Sequence, residues 1–219
     1  MSKVTHVLMV TVGFESKFQI KSLIELARWL DLFVAIVPRQ REEKVDKALE
    51  EIGRFCREFI GREMTVVEAD LANPHAAFQT VRKHLRALSP LELRLDLSGG
   101  MRALALIVLA AVMGTLSPYQ WRLLVWTEDL NLRLDLTDLF HIRLLPSPTP
   151  LEQEILAKLG ERSALSLQEL VEELNRPKST VHKALRRLEA VQMVAGERVG
   201  RKLLYRLGEK GKAWLSLRG

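Results

Sequence analysis

Leu91-Glu-Leu-Arg-Leu-Asp-Leu-Ser-Gly-Gly-Met-Arg-Ala-Leu-Ala-Leu-Ile-Val-Leu-Ala-Ala-Val-Met113 is the stretch whose reading decides the fold. It opens as a β-type run, Leu91–Leu97, turns at Ser98-Gly99-Gly100, and continues as a helix, Arg102–Leu116, that is apolar nearly all round. The same strand-then-helix alternation extends outward from it. Upstream come an apolar run Val4–Val12 and helical spacing over Phe18–Leu30. A second β-type run, Leu32–Val37, is ended by Pro38, and Glu42–Ile60 is helical. A third strand, Met64–Val67, precedes a helix Pro74–Leu88, with Pro74 in the first turn where its missing N–H does no harm. Downstream, Trp121–Trp126 is a fifth strand. Strands alternating with helices of this length predict right-handed crossovers and a mostly parallel, Rossmann-like sheet with helices on both faces. The near-continuous apolar strands fit burial on both sides.

Beyond the fifth strand the period changes. Leu130–Leu136 and Leu139–Leu145 alternate apolar and polar residues, which predicts an added hairpin at the sheet edge or at a partner surface. Pro146-Ser-Pro-Thr-Pro150 then places prolines at alternate positions, the mark of an extended, semi-rigid connector. The predicted organisation is a domain over 1–145, a linker over 146–150 and a second domain over 151–219.

Composition fits that division. The chain has 219 residues, 47% of them hydrophobic, enough for two cores. Residues 1–145 carry 19 basic and 18 acidic side chains, and residues 146–219 carry 14 and 9, so the second domain holds +5 of the net +6. A basic small domain beside a near-neutral larger one is the balance expected where one part meets a polyanion. The most apolar stretch, Ala103–Val112, is about half the ~20 residues a bilayer span needs. The N-terminus shows no signal-peptide layout. A cytoplasmic protein without a membrane partner is expected. The single cysteine, Cys56, excludes a disulfide framework and a Cys-rich zinc site.

The second domain predicts a winged helix-turn-helix. Leu151–Leu159 is a first helix, and Ser166-Leu-Gln-Glu169 has the capping-box spacing that opens a second. Asn175-Arg176-Pro177 turns into a third helix, Lys178–Val191, with Val181, Leu185, Leu188 and Val191 inward. Lys178, Ser179, His182, Lys183 and Arg186 face outward, with Thr180 and Arg187 at the flanks. Two short strands, Met193–Arg198 and Leu203–Leu207, enclose a basic tip carrying Arg201 and Lys202, with Arg198 beside it. The third helix suits a major groove, and the long wing cations suit flanking phosphates of double-stranded DNA. A dimerisation module with a merely solvated basic surface is the competing reading. It leaves the coincidence of charge on both helix and wing unexplained. Pro177-Lys-Ser-Thr-Val-His-Lys-Ala-Leu185 also resembles the recognition helix of winged-helix bacterial and archaeal regulators, notably the IclR type.

In the first domain two loops stand at the carboxyl ends of strands, where open α/β sheets bind ligands. They are Thr11-Val12-Gly13-Phe14 and Asp96-Leu-Ser98-Gly99-Gly100-Met101-Arg102. Glycines and a serine at a helix N-terminus offer backbone N–H groups to an anion, and Arg102 adds a charged donor. A tight strand-to-helix turn alone would also account for the glycines. Neither a dinucleotide Gly-x-Gly-x-x-Gly nor a P-loop occurs, which disfavours NAD binding and ordinary NTP hydrolysis. The five histidines are dispersed and show no ligand spacing, and no metal site is expected.

These two motifs, with Val37-Pro38 as a weaker third, a proline-marked linker and a winged helix, resemble the CARF–HTH transcription regulators of CRISPR–Cas systems. That resemblance implies a homodimer whose paired CARF loops form one pocket for a cyclic oligoadenylate, with cyclic tetra-adenylate the family's best-known ligand. It makes Thr11, Val12, Gly13, Phe14, Pro38, Ser98, Gly99, Gly100, Met101 and Arg102 ligand candidates. The family often has another residue where Gly99 stands. No further cofactor is implied. Some members cleave their ligand, so a ring nuclease assisted by Thr11, Ser98 and Arg102 is the enzymatic alternative, and a regulator sensing another nucleotide metabolite is a third. Asp96 reads as a strand-end residue that fixes the loop rather than a base.

Overall fold

The structure is a computed structural model that describes residues 4–141, 147–200 and 202–217. The chain parts into two compact units between Thr137 and Asp138.

In the first unit β1 (Thr5–Thr11), α1 (Lys17–Leu26), β2 (Leu32–Pro38) and α2 (Glu43–Phe55) follow in turn, and α2 runs on as a π-helical turn, Cys56–Ile60. Then come β3 (Met64–Ala69), α3 (Pro74–Ala87), β4 (Leu91–Asp96), α4 (Arg102–Met113), β5 (Trp121–Trp126) and β6 (Arg133–Asp135). The strands lie in the order β3-β2-β1-β4-β5-β6. The first five are parallel, and β6 runs antiparallel to β5. This is the doubly wound arrangement the alternation predicts, with its switch point between β1 and β4.

Both faces of the central strands are covered. Leu8, Val10, Phe33, Ala35 and Val37 pack with Leu23, Val45, Leu49 and Ile52 of α1 and α2. The intervening Val7, Met9, Val34 and Ile36 are equally buried, as strands enclosed on two sides require. Each such side chain contributes roughly 1.5–3 kcal/mol on leaving water. Cys56 is buried in the same cluster, and burial pushes its thiol pKa up.

The sheet edge differs from expectation. The hairpin exists, but its arms are β5 and β6, with Val125 opposite Leu134. The second arm expected over Leu139–Leu145 does not form in its described part, because Thr137–His141 is a short helix, α5. Asp135 Oδ1 accepts from the Thr137 N–H at 3.0 Å, and Thr137 Oγ1 accepts from the Leu123 N–H at 2.9 Å. These two bonds end the strand and turn the chain into the helix. Residues 142–145 lie outside the described part.

The second unit contains α6 (Pro150–Glu161), β7 (Leu165–Ser166), α7 (Leu167–Leu174), α8 (Lys178–Ala190), β8 (Val194–Val199), β9 (Lys202–Leu207) and α9 (Glu209–Ser216). Two capping boxes start helices. Thr149 and Glu152 open α6, and Ser166 and Glu169 open α7. Asn175 closes α7 in the left-handed region at φ 49°. Ile155, Leu156, Leu170, Val181, Leu185, Leu188 and Tyr205 form the core. The three-stranded sheet has the order β7-β9-β8. Its wing hairpin pairs Val199 with Lys202, and Gly200 at the tip takes φ +62°. No helix among the described residues is long and apolar enough to cross a membrane.

Candidate ligand cleft and nucleic-acid interface

The loops after β1 and β4 meet at the switch point, and their glycines are what lets them meet. A methyl group on Gly13 would lie 2.8 Å from the Gly100 nitrogen. Gly100 holds φ +90°, and a side chain there would crowd Thr11 Cβ at 3.1 Å. On Gly99 it would run into the Gln19 amide. The glycines thus serve more than a local turn: they let two loops distant in sequence close on each other.

Polar side chains lock this junction from below. Thr11 is fully buried, and its hydroxyl donates to the Gly99 carbonyl. Gln19 Nε2 donates to the Thr11 carbonyl at 2.7 Å. Asp96, 2% exposed, accepts from both hydroxyls of Ser22 and Ser98 and from the Ser98 N–H. Burial pushes its carboxyl pKa up, against the pull of those bonds. Ser98 Oγ also accepts from the Trp126 N–H at 2.7 Å, and the Trp126 indole donates to Ser22 Oγ at 2.9 Å. Asp96 therefore fixes the loop, the role read for it from its position at the strand end.

Above the junction opens a cleft of about 1010 Å³. Of the ten candidate residues, it is lined by Val12, Gly13, Phe14, Pro38, Gly100, Met101 and Arg102. Thr11, Ser98 and Gly99 lie beneath the lining and hold it in shape. Phe14 and Met101 are more than half exposed. Lys44 Nζ sits 5.6 Å from the Phe14 ring centre. Arg102 is exposed and has no carboxylate partner among the described residues. It begins α4, whose N-terminus has no side-chain cap and no acidic residue in its first turn. Free amide donors, a helix dipole and an exposed guanidinium together favour an anion there.

One wall of the cleft escaped the sequence reading. Gln40, Arg41 and Glu42 line it from the β2–α2 connection, and Val45 from the first turn of α2. The signal was topological rather than local: in this strand order the loop after β2 stands beside the loop after β1. Arg41 is clamped, to Glu68 and Asp46 at 2.7 Å each and to the Pro38 carbonyl at 3.4 Å. The hydrogen bonds it donates to Glu68 and Asp46 raise its pKa further.

In the second unit α8 buries Val181, Ala184, Leu185 and Leu188 and exposes Lys178, Ser179, Thr180, His182, Lys183, Arg186 and Arg187. The exposed cations are not equivalent. Arg186 lies 3.4 Å from Glu189, and Arg187 4.0 Å from the buried Glu152 of α6. Lys178 and Lys183, nearer the start of the helix, have no ion pair among the described residues. On the wing, Arg198 and Lys202 are exposed, and Arg206 pairs with Glu197 at 2.9 Å. Arg201 lies outside the described residues. Among those described, no group of His, Cys, Asp and Glu is arranged to hold a metal ion.

Comparison with known families places both units. Residues 6–137 match the Csa3 CRISPR-associated Rossmann-like domain, and residues 148–211 match the penicillinase repressor. No curated protein matches significantly. Among solved structures, the adhesin competence repressor of Streptococcus pyogenes is 28% identical over 32% of this chain and 53% of its own, with TM-score 0.30. BpsR of Bordetella bronchiseptica is 22% identical over 37% of this chain and 61% of its own, with TM-score 0.32. Protein VC1899 of Vibrio cholerae is 12% identical over 95% of this chain and 64% of its own, with TM-score 0.44. The chain thus spans between about half and two thirds of the length of these three solved chains.

Proposed function

We propose a function from one premise: the chain belongs to the family of the Csa3 CRISPR-associated Rossmann-like domain, here followed by a winged helix-turn-helix. It is a homodimeric DNA-binding transcription regulator of CRISPR loci that senses a cyclic oligoadenylate, cyclic tetra-adenylate by the family's example. The observation that carries this reading is the cleft at the switch point. Its floor is two glycine loops in van der Waals contact, and its rim holds the uncapped α4 N-terminus and the unpaired Arg102. Backbone donors and one cation suit the phosphates of an oligonucleotide, and the exposed Phe14 and Met101 suit its bases.

The homodimer is supported by α4. Ala103, Leu106 and Ala110 form an exposed apolar stripe, with Leu106 68% exposed, and Ala103 also lines the cleft. A second copy on this stripe would bring two clefts together, giving a two-fold site for a two-fold ring. DNA binding is supported by the unpaired cations at the start of α8 and on the wing, and by the match to a repressor family.

Binding is favoured over cleavage by the state of two hydroxyls. Thr11 Oγ1 donates to Gly99 and Ser98 Oγ to Asp96, and of the three residues that could assist cleavage only Arg102 lines the cleft, so neither hydroxyl is placed there to align a ribose hydroxyl for attack. The test is a band-shift titration of duplexes from CRISPR-associated promoters, with and without cyclic tetra-adenylate. We expect a retarded complex whose midpoint moves with the ligand. Equal affinity for promoter and unrelated duplex under both conditions contradicts the reading.

A further inference from the structure

The cleft has two chemically different walls. The α4 side offers a cation and backbone donors. The β2–α2 side offers acceptors: Gln40 and Glu42 are both exposed on the lining, and neither side chain has a hydrogen-bond partner among the described residues. The cation between them, Arg41, has its Nε and Nη1 spent on Asp46, Glu68 and the Pro38 carbonyl. It does not neutralise Glu42. Instead it staples the loop to β2, β3 and α2, so that Glu42 is presented from a rigid support.

A carboxylate facing an anionic ligand is repulsive unless it meets a donor. On an oligoribonucleotide the donors are ribose hydroxyls and base amines. In nucleotide-binding sheets of this strand order, an acidic residue associated with the second strand takes a ribose hydroxyl, while the phosphate lies at the glycine loop and helix N-terminus. Here Glu42, four residues past the end of β2, lines one cleft with Gly13 of the loop after β1 and Gly100 of the loop after β4. We infer that Glu42, held in place by Arg41, accepts a hydrogen bond from a ribose 2′-hydroxyl of the ligand and thereby makes the cleft selective for RNA-type over DNA-type rings. This rests on the reading of the cleft as a cyclic oligonucleotide site. It adds a residue outside the loops that suggested that reading.

Selectivity of this kind follows from leaving an acceptor without its donor when the hydroxyl is missing. The test uses the full chain and two probes, cyclic tetra-adenylate and its all-2′-deoxy counterpart, with affinities measured by calorimetry for the wild type, Glu42→Ala and Arg102→Ala. The wild type is expected to prefer the ribose ring by about tenfold or more, a lower bound set by one charged hydrogen bond where the two-fold site offers two. Glu42→Ala should cut that preference to below about threefold, chiefly by weakening the ribose ring. Arg102→Ala should weaken both rings alike and keep the ratio. If the wild type binds both rings equally, or Glu42→Ala keeps the preference, the assignment of Glu42 is overturned and the oligonucleotide site stands. If Glu42→Ala weakens both rings by one factor, Glu42 meets a base amine and the ribose assignment is overturned. If the wild type binds neither ring, the site and this inference fall together.

Discussion

Gly100 shows how much one residue decides. Its φ of +90° and the 3.1 Å approach to Thr11 leave no room for a side chain. Gly100→Ala should cost about 1–3 kcal/mol of backbone strain, with steric conflict in addition. We expect a lower melting temperature and a cleft too distorted to hold its ligand, both read by thermal melts with and without cyclic tetra-adenylate. An unchanged melting temperature would show that the loop relaxes freely. The glycines were visible in the sequence, and a turn could be read from them. Their mutual contact could not, because it depends on two loops that only the sheet brings together. His84 makes a different prediction. Its Nε2 is buried without a partner, and burial lowers its pKa below 6.5. The unfolded chain therefore binds the proton more readily than the fold does. Stability is full above pH 6.5 and falls as pH drops from there toward the lowered folded value. Denaturant melts between pH 5 and 7 should show that slope, reduced in His84→Leu; an undiminished slope would place its origin elsewhere.

At the scale of elements, α8 divides its cations by position. Lys178 and Lys183, in its first half, have no ion pair among the described residues, whereas Arg187 leans on a buried carboxylate of another helix. Recognition helices read bases from their N-terminal part. Lys183→Ala should accordingly weaken DNA binding. Arg187→Ala should mainly lower the melting temperature, by less than about 1 kcal/mol in stability because the pair is long and half exposed. On the wing, Lys202→Ala should weaken all duplexes alike and flatten the salt dependence by about 0.9 in slope for one lost phosphate contact. Fluorescence anisotropy over a salt series separates these outcomes, and a base-specific loss in Lys202→Ala would contradict the wing's role. Most elements were legible in advance, because capping boxes and apolar periods are local signals. Two were not. α5 hides within an alternating pattern and is imposed by the side-chain bonds of Asp135 and Thr137. β7 has two residues and exists only through pairing with Leu204 and Tyr205.

For the whole molecule, a sensor of this kind needs the cleft, the apolar stripe of α4 and the basic helix α8 to act as one device. Leu106→Glu places a charge on the exposed stripe of α4 while leaving the fold's core untouched. We expect it to yield a monomer by light scattering that no longer binds the ring; a ligand-binding dimer in that variant would move the interface elsewhere. The wall carrying Gln40 and Glu42 was illegible from sequence for a reason of the same scale, since only the strand order sets it opposite Arg102. Any coupling between ring and DNA must be reciprocal. The most direct measurement is therefore calorimetry of the full chain with cyclic tetra-adenylate, performed with and without bound promoter DNA. We expect one ring per two chains, and a change in ring affinity on adding DNA equal in factor to the change in DNA affinity on adding ring. No binding, one ring per chain, or a ring affinity indifferent to DNA would contradict the central claim.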